Sequence, residues 1–229
     1  MSLATFKDLC IDVGDLPGEA AFWAGLLGLR VESFPDDPDE LVLRGDRPQQ
    51  TVWPNPVPEG KAVKNRVHLD VWASSLDGIT GTRVTEPGEQ GWTTFTDPVG
   101  GQEFCVFTRA DVGLYRLKDV VVDAAHHQSI AAWWAQVLGG TAHDDEGRYS
   151  YVSDIPGVPF DDIDFTPVPE PKTVKNRIHW DIDLTPGSTV ADLVALGATV
   201  LREPDDDIRW TVMADPEGNE FCVFAPRAD

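Results

Sequence analysis

Two histidines each stand two residues before an aspartate, inside a nine-residue stretch that the chain uses twice. Val63-Lys64-Asn65-Arg66-Val67-His68-Leu69-Asp70-Val71 returns as Val174-Lys175-Asn176-Arg177-Ile178-His179-Trp180-Asp181-Ile182. Both copies alternate. Val67, Leu69 and Val71 point one way while Arg66, His68 and Asp70 point the other, the period of a strand with one face on a core. An imidazole and a carboxylate on the polar face suit the lining of a pocket. Trp72 shares the parity of His68, and Trp92 and Trp210 lie at matching places before a closing turn. Rings so placed could stack on a flat ligand; the competing reading is packing within the sheet or at an interface. Lys64-Asn65-Arg66 and Lys175-Asn176-Arg177 read either as an anion clamp, with arginine as a planar fork, or as a structural tie. In the tie the arginine pairs with Glu103 or Glu220, and the retention of one polar set in both copies favours it. No glycine-rich phosphate loop, Ser-His-Asp spacing or Cys-x-x-Cys pair occurs.

The two stretches are 111 residues apart in a chain of 229. A period of that size marks a duplicated domain, since solenoid repeats run to about 20–50 residues. Other segments repeat with it. Phe22-Trp23-Ala24-Gly25-Leu26-Leu27-Gly28 matches Trp133-Trp134-Ala135-Gln136-Val137-Leu138-Gly139, and Asp215-Pro216-Glu217-Gly218-Asn219-Glu220-Phe221-Cys222 matches the run from Asp97 to Cys105 with one residue inserted. Residues 6–14 alternate as a strand. Asp15, Pro17 and Glu19 open a helix, Trp23, Leu26 and Leu27 give it an apolar stripe, and Gly28 stops it. Three short strands follow, at 29–34, 40–44 and 50–53. The motif strand opens a second unit with a helix expected over 76–84 and strands at 91–97 and 103–108. Residues 109–114 join the halves, and the order begins again with a strand at 115–123 and a helix at 128–138; a fourth helix is expected at 190–196. Trp23, Trp133, Trp134 and Trp180 belong to the core.

Eighteen basic and 39 acidic side chains leave a net charge of −21. Such a surface repels phosphate backbones, so no nucleic acid is expected as partner. No apolar run approaches the roughly 20 residues that span a membrane, and no membrane partner or signal peptide is expected. Three widely spaced cysteines, Cys10, Cys105 and Cys222, argue for a reducing compartment. A cytoplasmic protein, monomer or homodimer, with a small-molecule ligand is expected.

Four βαβββ-type units in two pairs resemble the vicinal oxygen chelate superfamily, which includes glyoxalase I, bleomycin-resistance proteins and extradiol dioxygenases. The marks are Leu26-Leu27-Gly28-Leu29, His68-Leu69-Asp70 and Asp215-Pro216-Glu217-Gly218-Asn219. The resemblance implies an α+β fold: two tandem glyoxalase-like domains, residues 1–110 and 111–229, with cupped, mostly antiparallel sheets. It also implies metal-site positions. The first falls on Asp8 and Asp119, where many members have histidine. The motif position falls on His68 and His179, the closing position near Cys105 and Cys222, and the strand before the linker offers Thr51 or Asp162. A divalent metal such as zinc would accept this mixture; the second half, with Asp119, Asp162, His179 and Cys222, could supply four donors. The other reading is a vestigial site in which His68 bonds Asp70 and Cys105 packs as a small apolar group. Trp53 shares parity with Thr51 and so turns toward the pocket. His68, Asp70 and Asp8 are expected to form the polar part of one cup, and His179, Asp181 and Asp119 that of the other.

Three functions follow. One is a binding protein of the bleomycin-resistance kind, holding a small planar molecule between tryptophan faces. The second is a metal-dependent lyase, isomerase or dioxygenase, with the ion polarising a substrate oxygen. The third is a catalytically silent scaffold. The altered ligand set favours the first.

Overall fold

The computed structural model describes residues 2–86 and 88–226. The first half runs β1 (Ala4–Val13), α1 (Leu16–Leu27), β2 (Arg30–Phe34), β3 (Asp37–Arg44), β4 (Thr51–Pro56), β5 (Val67–Ala73), β6 (Thr82–Arg83), β7 (Thr93–Thr96) and β8 (Glu103–Thr108). The second half repeats it with β9 (Leu117–Ala124), α2 (His127–Leu138), β10 (Thr141–Asp144), β11 (Ser150–Ser153), β12 (Asp162–Pro167), β13 (Ile178–Leu184), α3 (Val190–Ala195), β14 (Thr199–Arg202), β15 (Thr211–Ala214) and β16 (Glu220–Phe224). The class is α+β, with two mixed, mostly antiparallel sheets. No helix among the described residues is long and apolar enough to cross a membrane.

Local chemistry explains most boundaries. The Asp15 side chain caps α1 by accepting from the Gly18 N–H at 3.2 Å, and Gly28 ends it at φ 73°. The helix expected over 76–84 does not form. Gly78 and Gly81 take φ values of 83° and 139°, and only β6 appears there. Its counterpart α3 forms because Thr189 and Asp192 cap each other, with Asp192 Oδ2 accepting from the Thr189 N–H at 2.8 Å.

Each sheet has eight strands. One runs β14-β15-β16-β13-β1-β4-β3-β2, the other β10-β11-β12-β9-β5-β8-β7-β6. The two orders are related by a pseudo-two-fold that exchanges the halves. The first unit of the chain therefore shares a sheet with the fourth, and the second with the third. This changes which residues meet. Asp8 pairs with Asp181 and Cys10 with His179 across β1 and β13; Asp70 pairs with Asp119 across β5 and β9. The expected grouping of Asp8 with His68, and of Asp119 with His179, is corrected accordingly.

Arginines of the repeated motif stitch the halves. Arg66 donates to the carbonyls of Asp123 and Glu170, both at 2.8 Å. Arg177 donates to those of Asp12 at 3.1 Å and Glu59 at 2.9 Å. Lys64 pairs with Asp123 and Lys175 with Asp12. The tie is therefore real, but its acceptors are carbonyls of the other half. Glu103 and Glu220 instead accept from Lys61 at 2.7 Å and Lys172 at 2.6 Å.

The apolar faces of both sheets pack with the two long helices. Trp23 of α1 meets Phe104 of β8 at 6.1 Å between ring centroids, and Trp134 of α2 meets Trp180 of β13 at 4.7 Å. Trp23, Trp134 and Trp180 are fully buried. The opposite faces carry the polar residues.

Two glycines of α1 give a paired test. A Cβ on Gly28 would lie 1.7 Å from the Leu114 carbonyl oxygen, whereas one on Gly25 would touch nothing within 4 Å. Gly25→Ala should stabilise the protein by up to about 1 kcal/mol in denaturant unfolding. Gly28→Ala should destabilise it by more than about 1 kcal/mol, because a positive φ and a backbone clash coincide.

Candidate functional site

In the sheet of β5 and β9, six of the expected residues come together: His68, Asp70, Trp72, Trp92, Cys105 and Asp119. His68 Nε2 lies 3.5 Å from Asp70 Oδ1, and Cys105 Sγ lies 3.4 Å from Thr94 Oγ1. The donor atoms of His68, Asp70 and Cys105 all fall within 4.8 Å of one another, as do those of Asp70, Asp119 and Asp164. Asp162 is beside this cluster, its N–H donating to Asp119 Oδ1 at 3.1 Å; Asp164, two residues on, completes the carboxylate group. Lys118 donates to Asp119 Oδ2. Its ammonium lies 4.7 Å from the centroid of Phe107 and 5.5 Å from that of Trp72. Trp92 stacks on Phe107 at 5.6 Å. Above these groups is a cavity of about 620 Å³ lined by Trp92, Phe107, Tyr149, His68, Asp70 and Asp164.

The sheet of β1 and β13 builds the equivalent cup from Asp8, Trp53, His179, Asp181, Trp210 and Cys222. Lys7 Nζ is 2.7 Å from Asp8 Oδ2 and 3.5 Å from Asp181 Oδ2. It rests 4.1 Å over the Phe224 ring, whose stacking partner is Trp210 at 5.4 Å. Cys222 Sγ lies 3.6 Å from His179 Nε2, and Cys10 donates to Asp181 Oδ1 at 3.6 Å. Trp53 fills the position that Asp164 holds in the other cup. Its Nε1–H donates to Asp8 Oδ2 at 3.1 Å and its ring stacks on Phe34 at 6.0 Å. The cavity of the other cup opens where the short Asp164 replaces that indole.

The four donors expected of the second half do not meet. Asp119 and Asp162 lie in one cup, His179 and Cys222 in the other, because β9 pairs with β5 and β13 with β1. Residues not singled out from sequence are Lys7, Lys118, Cys10, Asp164, Tyr149, Phe107 and Phe224. Lys7-Asp8 and Lys118-Asp119 repeat with the spacing of the histidines, a signal that was available.

Charge differs between the cups. Burial pulls the His68 pKa down, but the hydrogen bonds that its imidazolium donates to Asp70 and Cys105 outweigh burial and raise it to about 10. Burial, then the nearby Lys175 charge, lowers His179 to about 4. Burial, and then Asp8, also push the neighbouring Asp181 carboxyl well above the usual carboxylate range. In the first cup burial raises Asp119 to about 7 despite Lys118. Burial, then Asp119, raises Asp164 to about 8.

A second cavity, of about 520 Å³, lies at the junction of the halves and is lined by Lys61, Lys64, Arg66, Lys175 and Arg177. Each of these bases already holds an internal acceptor.

A family model described as a glyoxalase-like domain matches residues 8–107 and again 119–224. The chain belongs to the glyoxalase-like domain family. It is thereby a member of the vicinal oxygen chelate superfamily. Glyoxalase I from Zea mays superposes with a TM-score of 0.66 at 16% identity, covering 96% of this chain and 92% of its own. A putative dioxygenase from Bacillus subtilis subsp. subtilis str. 168 gives 0.65 at 15%, with 99% and 86% covered. At these identities the likeness establishes the glyoxalase-like fold. No curated protein sequence matches the chain. Superfamily members commonly use divalent metals, and both cups offer suitable N, O and S donors. In each cup, however, one of these donor sets includes a carboxylate that already holds a lysine ammonium, Asp181 with Lys7 and Asp119 with Lys118.

Asp164 yields a pH test. Its raised pKa means that the folded state keeps a proton that the unfolded state loses near pH 4. Stability from this group is fully present below that pH and is lost as pH rises through about 8. One pKa unit is about 1.4 kcal/mol. Asp164→Asn, compared with the native protein by urea unfolding, should therefore gain at least about 1.4 kcal/mol between pH 4 and pH 9.

Proposed function

We propose that the chain binds a small planar organic molecule in the cup of β5 and β9. The observation that carries this is the cavity of about 620 Å³ with an aromatic wall and a buried polar floor. That volume lies within the roughly 300–1,000 Å³ of small-molecule pockets, which pair apolar walls with a few convergent polar groups. Trp92 is 37% exposed although it stacks on Phe107, so one indole face is free to meet a guest. His68, Asp70 and Asp164 would fix the guest's polar edge. In the other cup Trp53 is occupied by Asp8 and Phe34, which makes it a filler rather than a stacking platform. The net charge of −21 supports a small molecule over nucleic acid. The free, buried cysteines suit a reducing, cytoplasmic setting. A metal-dependent lyase, isomerase or dioxygenase would need an ion such as zinc at His68 or His179, in cups where Asp119 and Asp181 already hold lysine ammonium groups.

Titration with a panel of planar aromatic compounds, read by tryptophan emission, tests the reading. Trp92→Ala should weaken binding by about 0.5–1.5 kcal/mol beyond lost area, and Trp53→Ala should leave it near native. Binding that survives Trp92→Ala but is lost with Trp53→Ala would move the guest to the other cup, and no quenching by any compound would sink the proposal.

A further inference from the structure

We propose that Lys7 and Lys118 are resident cations, each placing its ammonium group where a divalent metal would otherwise sit, so that both cups work without metal. The strand pairing carries this. Neighbouring residues of a strand point to opposite faces, so Lys7 beside Asp8, and Lys118 beside Asp119, should turn into the core. Neither does. In the β1–β13 ladder, Phe6 pairs with Ile182 and Asp8 with Asp181, and Lys7 is skipped. In the β5–β9 ladder, Asp119 pairs with Asp70 and Leu117 with Val71, and Lys118 is skipped. Each lysine is the extra residue of a β-bulge, the device by which a strand re-aims one side chain. The same bulge occurs twice, at equivalent places, and both times it delivers a lysine to the cup.

What each ammonium meets there fits a cation site. Lys7 bridges Asp8 and Asp181, at 2.7 and 3.5 Å, and Lys118 binds Asp119. Their side chains are only 15% and 18% exposed. Phe224 lies 4.1 Å below Lys7, and Phe107 lies 4.7 Å from Lys118, so each charge also faces an aromatic ring. Burial works against both charges, but the neighbouring carboxylates outweigh it and both lysines keep their protons more tightly than usual. A divalent ion among Asp70, Asp119 and Asp164 would stand next to the Lys118 charge in a partly buried site, where repulsion is weakly screened. A ligand oxygen entering the cup meets an N–H donor, not a Lewis acid. This inference holds independently of which ligand binds.

The test is metal content and calorimetric titration with Zn(II) and Mn(II). The native protein and Lys118→Arg should retain no stoichiometric ion. Lys118→Met, which keeps the length and removes the charge, should gain one ion with affinity at least about tenfold above native, and Asp164→Asn should abolish the gain. Lys7→Met tests the other cup in the same way, with His179→Ala as its control. Native protein carrying a stoichiometric ion that His68→Ala or His179→Ala releases would overturn the proposal. So would Lys118→Met and Lys7→Met that are folded by circular dichroism yet bind no more metal than native. If Lys118→Met does not fold, metal bound by Lys118→Arg still overturns the proposal and its refusal still supports it.

Discussion

Everything in this molecule depends on the antiparallel pairing of β1 with β13 and of β9 with β5. These are inner strands of eight-stranded sheets: each pairs on one edge with a strand of its own half, β1 with β4, β5 with β8, β9 with β12 and β13 with β16, and on the other edge only with a strand of the opposite half. The motif that occurs twice in the chain secures that pairing. Arg177 donates its guanidinium to the Asp12 carbonyl while the Asp12 N–H donates to the Arg177 carbonyl at 2.7 Å. Arg66 and Asp123 do the same, also at 2.7 Å. Arginine suits this role because its planar fork reaches two carbonyls at once. The duplication is thus a bonding rule as well as a history: each copy holds the other in place.

The same pairing decides the chemistry. A cup draws its histidine and one aspartate from one half and its lysine and a second aspartate from the other. Two cups of one design then diverge through a few side chains. Trp53 fills one, and Asp164 leaves the other open. Burial and the Lys175 charge hold the His179 pKa down, whereas Asp70 and Cys105 outweigh burial and push that of His68 up. One cup resembles a packed structural unit and the other a binding site, although their strands superimpose in order.

Local signals made much of this legible. Asp15, Pro17 and Gly28 bound α1 as their capping chemistry requires. The alternation of the motif strand correctly put His68 and Asp70 on one face and Leu69 on the other. Partner choice was not legible, because strand periodicity says which face a residue uses and nothing about which strand lies beside it. Grouping Asp8 with His68 failed for that reason. The lysines were hidden by alternation itself, since a bulge breaks the period that the reading relied on. Over 76–84, two glycines outweighed a weak apolar pattern and no helix formed.

Separate expression of residues 1–110 and 111–229 tests the composite architecture most directly. Each half alone leaves β1 and β5, or β9 and β13, without their partners. Light scattering and circular dichroism should find each half unfolded or associated with itself, and mixing the two should restore a one-to-one complex with the native spectrum. A half that is a folded, stable monomer on its own would contradict cups shared between the halves.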